Sequence, residues 1–238
     1  MKADAVIFDK DGTLLDFDAF WVTVSKNALA EVLTHFEKQE VPVSEILTAL
    51  GVHNGITDID GILCKGTYAQ MGQIVSDILQ KYGCTASCEE ITRVVIDAYN
   101  RHSDSGEIKP TCSTLADTLL QLKKRGKKLA VVTTDNDTIT LPCLQKLGID
   151  TLFDQIYTDD GKTPTKPDPY CAADFGRITQ TEPEHLVMVG DTMTDITFAK
   201  NAGIPVIALA KTEHSKAILA PFADAVISDL SALLTLLE

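Results

Sequence analysis

The sequence predicts an α/β protein: a three-layer, Rossmann-like core on a mostly parallel sheet, with a helical bundle inserted after the first strand. Three observations predict it. Residues beyond about 107 alternate short apolar runs with amphipathic helices, one more apolar run stands by itself at residues 3–9, and the stretch between carries only helical periodicity.

Residues 3–9 (ADAVIFD) are rich in strand formers and run into Asp-x-Asp-Gly, the pattern of a buried strand closing in a tight turn. From Ala19 onward, Trp21, Val24, Ala28, Leu29, Val32, Leu33 and Phe36 recur at steps of three and four, which is an amphipathic helix. Met71, Ile74, Val75, Ile78, Leu79 and Tyr82 form a second stripe, Ile91, Val94, Val95, Ala98 and Tyr99 a third, and residues 43–50 a shorter helix. No strand pattern interrupts them, so residues 16–106 are expected to form a small helical bundle.

Ser105-Gly106 and Lys109-Pro110 then punctuate the chain. Beyond them the pattern gives helix 113–124, strand 128–133, helix 138–147, a short strand at Ile156-Tyr157 and helix 169–178. Strand 186–189, helix 194–202, strands 206–209 and 225–227, and a terminal helix carrying Leu230, Leu233, Leu234 and Leu237 follow. The core is expected at 1–15 and 107–238, interrupted by the insertion at 16–106.

Composition narrows the possible partners. Of 238 residues, 45% are hydrophobic and 23% charged, ordinary for a globular protein. The formal net charge of -13 opposes a nucleic-acid backbone or an anionic membrane, so neither is expected as a partner. A small anionic substrate would need a local pocket of cation, backbone N–H or metal. No run is long and apolar enough for a signal peptide or a membrane span, so a cytoplasmic location is expected. Six scattered cysteines (Cys64, Cys84, Cys88, Cys112, Cys143, Cys171) read as reduced thiols, and the Cys84/Cys88 pair lacks the second ligand pair that zinc needs.

The chemistry lies at strand ends. In Asp9-Lys10-Asp11-Gly12-Thr13, residues two apart in extended chain point to one side, so Asp9 and Asp11 can present carboxylates to one small volume. Close carboxylates repel unless something positive sits between them, a need that magnesium suits. Alone, the run reads more simply as a solvated turn. Strand 128–133 ends in Thr133-Thr134-Asp135-Asn136, a hydroxyl beside a helix start, where a helix N-cap is the plainer reading. The proline-stiffened loop around Lys166-Pro167-Asp168-Pro169 holds a lysine, and Gly190-Asp191-Thr192-Met193-Thr194-Asp195 puts two more acids after a third strand. N-capping would account for Asp191 but leaves Asp195 without a reason. Taken together, these segments all lie on the carboxyl edge of a parallel sheet, where such sheets bind ligands, and their side chains match the parts that phosphoryl transfer requires.

The order DxDGT, strand-Thr, Lys-Pro-x-Pro and GDxxxD resembles the haloacid dehalogenase superfamily of phosphohydrolases and spans the whole core. The inserted helices resemble that superfamily's helical cap in position and helicity, near the phosphoglycolate phosphatase and beta-phosphoglucomutase-like members. The resemblance implies Asp9 as nucleophile, Asp11 as acid and base, Thr133 as holder of the phosphoryl group and Lys166 as the cation steadying both. It implies a magnesium site at Asp9, Asp11 (through its backbone carbonyl) and Asp191, with Asp195 orienting it. The expected substrate is a small phosphorylated metabolite, phosphoglycolate or sugar-phosphate-like, hydrolysed through an aspartyl phosphate on Asp9. The sequence departs from the pattern at Lys10, where an apolar residue is commoner, and in the doubled Thr133-Thr134.

The insertion is expected to close over the site and supply specificity, with Lys65, Arg93, Arg101 and His102 as polar candidates and the stretch Cys64-Lys65-Gly66-Thr67 as a specificity loop. A phosphomutase of the beta-phosphoglucomutase type would share every core residue. Dehalogenase chemistry has no use for the second DxD aspartate together with the GDxxxD acids, and a phosphonate hydrolase would need an imine-forming lysine such as Lys65. A binding protein that keeps the fold without turnover is the alternative from another class.

Overall fold

In the computed structural model, which describes residues 1–238, the first apolar run becomes strand β1 (Ala5–Phe8), with all four residues fully buried. The chain divides into two compact units, one made of Met1–Asp16 with Ile108–Glu238 and the other of Phe17–Glu107.

The unit following β1 opens with a π-helical turn (Asp18–Val22) leading into α1 (Thr23–His35), then α2 (Val43–Ala49). Strands β2 (Val52–His53) and β3 (Ile56–Thr57) pair antiparallel before α3 (Ile62–Lys65), α4 (Tyr68–Lys81) and α5 (Cys88–Arg101). The predicted apolar stripes face inward: Leu29, Val75, Val95 and Ala98 are fully buried. Glycine lets α4 and α5 approach closely, since a methyl group on Gly72 would lie 2.1 Å from Thr92 Oγ1.

Two expectations for this unit are corrected. A strand pair does interrupt the helices: Asn54 and Gly55 both take positive φ (54° and 81°), the two-residue turn that suits a hairpin. Strands of two residues show no periodicity, so the Asn-Gly dipeptide was the only available signal. The stretch Cys64–Thr67 is no open loop. Cys64 and Lys65 end α3, while Thr67 starts α4 in a capping box, its N–H donating to Gln70 Oε1 at 2.8 Å and its hydroxyl accepting from the Gln70 N–H at 3.3 Å.

The other unit continues with α6 (Leu115–Lys124), β4 (Lys128–Val132), α7 (Asp137–Lys146), β5 (Gln155–Tyr157) and α8 (Tyr170–Thr179). Then come β6 (Leu186–Gly190), α9 (Met193–Ala202), β7 (Val206–Leu209), α10 (Glu213–Leu219), β8 (Ala225–Ile227) and α11 (Leu233–Leu236). Helix α10 has no counterpart in the sequence reading, because of its residues only Leu219 is buried and so no apolar stripe forms.

The six strands are all parallel in the order β5-β4-β1-β6-β7-β8. Alternate strand residues serve opposite layers. Val6, Phe8, Leu129, Val131, Val187 and Val189 share one core with Leu119, Leu122, Leu144 and Leu233. On the other side α8 packs against β1 and β4, and α9 against β6 and β7. The chain winds from β1 outward to β5, then returns to the far side of β1 as β6, so the direction of winding reverses between β1 and β6. Ligands bind at such a reversal, beyond the carboxyl ends of the strands. No helix is long and apolar enough to cross a membrane, and all six cysteines are free.

Candidate active site

Strand order decides which motifs meet. Phe8 pairs with Val131 on one side and Val189 on the other, so Asp9, Thr133 and Asp191 leave three adjacent strands within a residue of the same level. Sequence separations of more than a hundred residues collapse to neighbouring strands.

At the β1 end, Asp9 is buried and its N–H donates to the Val189 carbonyl at 2.9 Å. Gly12 turns the chain at φ 81°. A Cβ there would lie 2.0 Å from Asp191 Oδ2, so only glycine lets the turn pass that carboxylate. Thr13, two residues after Asp11, donates its hydroxyl to Asp191 Oδ1 at 3.2 Å. Lys166 arrives from the loop before α8, buried, with Nζ bonded to Asp9 Oδ1 and, at 2.7 Å, to Asp195 Oδ1.

The two acids after β6 take different positions. Asp195 serves the start of α9, its Oδ2 accepting from the Thr192 N–H at 3.1 Å and the Thr192 hydroxyl at 2.8 Å. Gly190 makes room for it, because a Cβ there would fall 2.4 Å from Asp195 Cβ. Asp191 caps nothing and turns its carboxylate toward the site. Asp9, Asp191 and Asp195 each offer one oxygen, all within 4.8 Å of one another. Hard oxygen donors so grouped fit a divalent cation.

The electrostatics lead to the same conclusion. Burial pushes Asp9 up to about 7, partly opposed by Lys166 and reinforced by Asp195 and Asp11. Burial, then Asp9 and Asp195, raise Asp191 well above the ordinary carboxylate range. Lys166 loses by burial but gains more from Asp195 and Asp9, so it stays charged. Three acids around one ammonium leave surplus negative charge, which a divalent cation would relieve.

Thr133 is buried at the end of β4, its Oγ1 accepting from the Asp135 N–H at 3.2 Å, whereas Thr134 is exposed. The helix cap expected here belongs to Asn136, which accepts from the Ile139 N–H at 3.1 Å. Asp11 is not one of the three grouped carboxylates. Its Oδ2 lies 2.7 Å from Nζ of Lys10, whose side chain is fully buried and also sits 2.9 Å from Asp135 Oδ2. Burial works against the Lys10 ammonium, but Asp11 and Asp135 outweigh it and raise its pKa. Asp135 escaped sequence reasoning because an acid before a helix reads as a cap. The signal that could have found it is Lys10 itself, a charge in a buried run that must meet acids.

In the helical unit, Lys65 is exposed and paired with Asp60 at 2.7 Å. Arg101 and His102 both hold Glu31, and Arg93 is exposed.

Comparison with known proteins gives the following. The family described as haloacid dehalogenase-like hydrolase matches residues 3–203. Pyrophosphatase PpaX from Bacillus mycoides (strain KBAB4) is 25% identical over 241 residues, covering 100% of this chain and 98% of its own. Among solved structures, a predicted phosphoglycolate phosphatase from Haemophilus somnus 129pt aligns with a TM-score of 0.73 at 20% identity, covering 99% of this chain and 98% of that one. YfnB from Bacillus subtilis, assigned as a HAD-type hydrolase and solved bound to magnesium, aligns with a TM-score of 0.68 at 21% identity over 99% of both chains. At these identities the structural likeness speaks to the fold.

Proposed function

This chain belongs to the haloacid dehalogenase-like hydrolases and is an enzyme of that family, and we propose that it is a magnesium-dependent phosphatase of small phosphorylated metabolites, working through a phosphoryl group carried on Asp9. The observation that carries the reading is Asp9 at the end of β1, bonded to Lys166 and sharing one small volume with Asp191 and Asp195.

Asp9 attacks phosphorus in line, and the leaving oxygen takes a proton from Asp11. Asp11 then removes a proton from the water that attacks the aspartyl phosphate, returning Asp9 and releasing phosphate. Lys166 holds the nucleophile and offsets charge on the phosphoryl oxygens, and the Thr133 hydroxyl, buried at the β4 end, donates to one of them. Asp9, Asp191 and the Asp11 backbone carbonyl would hold magnesium, with Asp195 fixing the arrangement through Lys166 and Thr192. When bound, magnesium supplies Lewis-acid stabilisation of the transferring phosphoryl group.

In this reading the helical unit, Phe17–Glu107, is the cap and selects the substrate. One relative is named a phosphoglycolate phosphatase and another a pyrophosphatase, so both substrates belong on a panel beside sugar phosphates. The six free cysteines fit a reducing, cytoplasmic compartment.

The test is hydrolysis of para-nitrophenyl phosphate with magnesium and after chelation. Turnover should require magnesium and fall at least about 10³-fold in Asp9→Asn. Near-normal turnover by that variant would remove the assignment.

A further inference from the structure

A fully buried lysine beside a candidate nucleophile needs a reason. Lys10 Nζ lies between Asp11 Oδ2 at 2.7 Å and Asp135 Oδ2 at 2.9 Å. Asp135 touches the site a second way, through its N–H to the Thr133 hydroxyl at 3.2 Å. Its carbonyl in turn accepts from the Asp159 N–H at 2.9 Å, fixing the turn against the segment after β5. One connected network therefore holds the proton carrier on β1 and the phosphoryl-holding hydroxyl on β4.

Stability gives no reason for such a network. Buried charges surrender hydration, and apolar residues of similar size usually serve folding equally well or better. The sheet around Lys10 is apolar, so an apolar side chain there would continue the core. What only the charged set supplies is a fixed direction for the Asp11 carboxylate.

We infer that Lys10 and Asp135 are positioning residues that aim Asp11 at the leaving oxygen, an inference that rests on the phosphatase reading above. In the step concerned the Asp9–phosphorus bond forms, the bond from phosphorus to the leaving oxygen breaks, and the Asp11 proton passes to that oxygen. Loosening Asp11 must then hurt most where the leaving oxygen is strongly basic, as in an alkyl phosphate. It hurts least for para-nitrophenolate, which departs with little help.

The experiment compares kcat/KM for para-nitrophenyl phosphate and for an alkyl phosphate that the unsubstituted enzyme hydrolyses, with magnesium present. Lys10→Met/Asp135→Leu removes both charges at similar volume, and thermal unfolding checks that it folds. The expected loss is at least about 30-fold on the alkyl ester and under about 3-fold on the aryl ester. Asp135→Asn, at a partly exposed side chain, should show the same selectivity with a smaller loss, and it decides the matter if the double variant does not fold. Equal losses on both esters, or none, would overturn the inference while leaving the phosphatase reading standing. Absence of turnover of either ester by the unsubstituted enzyme would remove that reading and this inference with it.

Discussion

Two buried lysines flank the end of β1, and each stands between two carboxylates. Lys166 reaches Asp9 and Asp195 on the β6 side, and Lys10 reaches Asp11 and Asp135 on the β4 side. They differ in what surrounds them. Beside Lys166 a third acid, Asp191, joins the group, so negative charge is in excess where a divalent cation fits. Lys10 lies outside that group. In the function proposed above, one lysine completes a place for metal and phosphoryl group while the other holds a proton carrier in position, so chemically alike pairs serve different ends according to the third carboxylate.

Removing each cation in turn tests this contrast most strongly. Lys166→Met leaves buried carboxylates uncompensated and Lys10→Met leaves partly buried ones, at a cost of about 3–5 kcal/mol in metal-free protein for the first and less for the second. Magnesium should recover part of the loss in Lys166→Met and little in Lys10→Met, measured by urea unfolding with and without the ion. Equal recovery in both would erase the distinction between the two sides.

Gly12→Ala probes the β6 side alone. The new Cβ at φ 81° would fall 2.0 Å from Asp191 Oδ2, so that carboxylate must move. The expected cost is about 1–3 kcal/mol in stability, together with weaker magnesium binding by calorimetry. Unchanged magnesium affinity would show that Asp191 is not a ligand.

A smaller effect sharpens the electrostatic side of the comparison. Burial raises Asp9 from 3.8 to about 7 against the pull of Lys166. Between those values the folded protein binds the proton more tightly than the unfolded chain, so in metal-free protein this group's stability contribution falls as pH rises through that window. Magnesium held at Asp9 would compete with the proton for the same oxygens. Its stabilising effect, read as a rise in Tm, should be larger at about pH 8 than at about pH 5. A gain independent of pH would contradict the coupling.

The sequence revealed more of the Lys166 side than of the Lys10 side. Asp9, Lys166, Asp191 and Asp195 each follow a strand or a proline-stiffened loop, so the parallel-sheet reading alone brings them to one edge. The position of Asp195 is a matter of three-dimensional structure, in which it caps α9 through Thr192 while Asp191 is the acid left facing the site. On the other side, Lys10 stood out as a departure without its cause. Its partner Asp135 comes from the turn after β4, and nothing local tells an acid that receives a buried lysine from one that caps a helix. The same limit of local signal hid α10 and the hairpin at Val52–Thr57, elements too short or too exposed to leave a period.

The most direct measurement of the central claim is chemical trapping of the proposed covalent state. Enzyme turning over substrate with magnesium is quenched with borohydride, which reduces an aspartyl phosphate to homoserine, and the peptide spanning β1 is sequenced by mass spectrometry. Homoserine at position 9 is the expected result. Trapping at any other acid, or an unmodified Asp9 under conditions where an acyl phosphate is shown to accumulate, would contradict it.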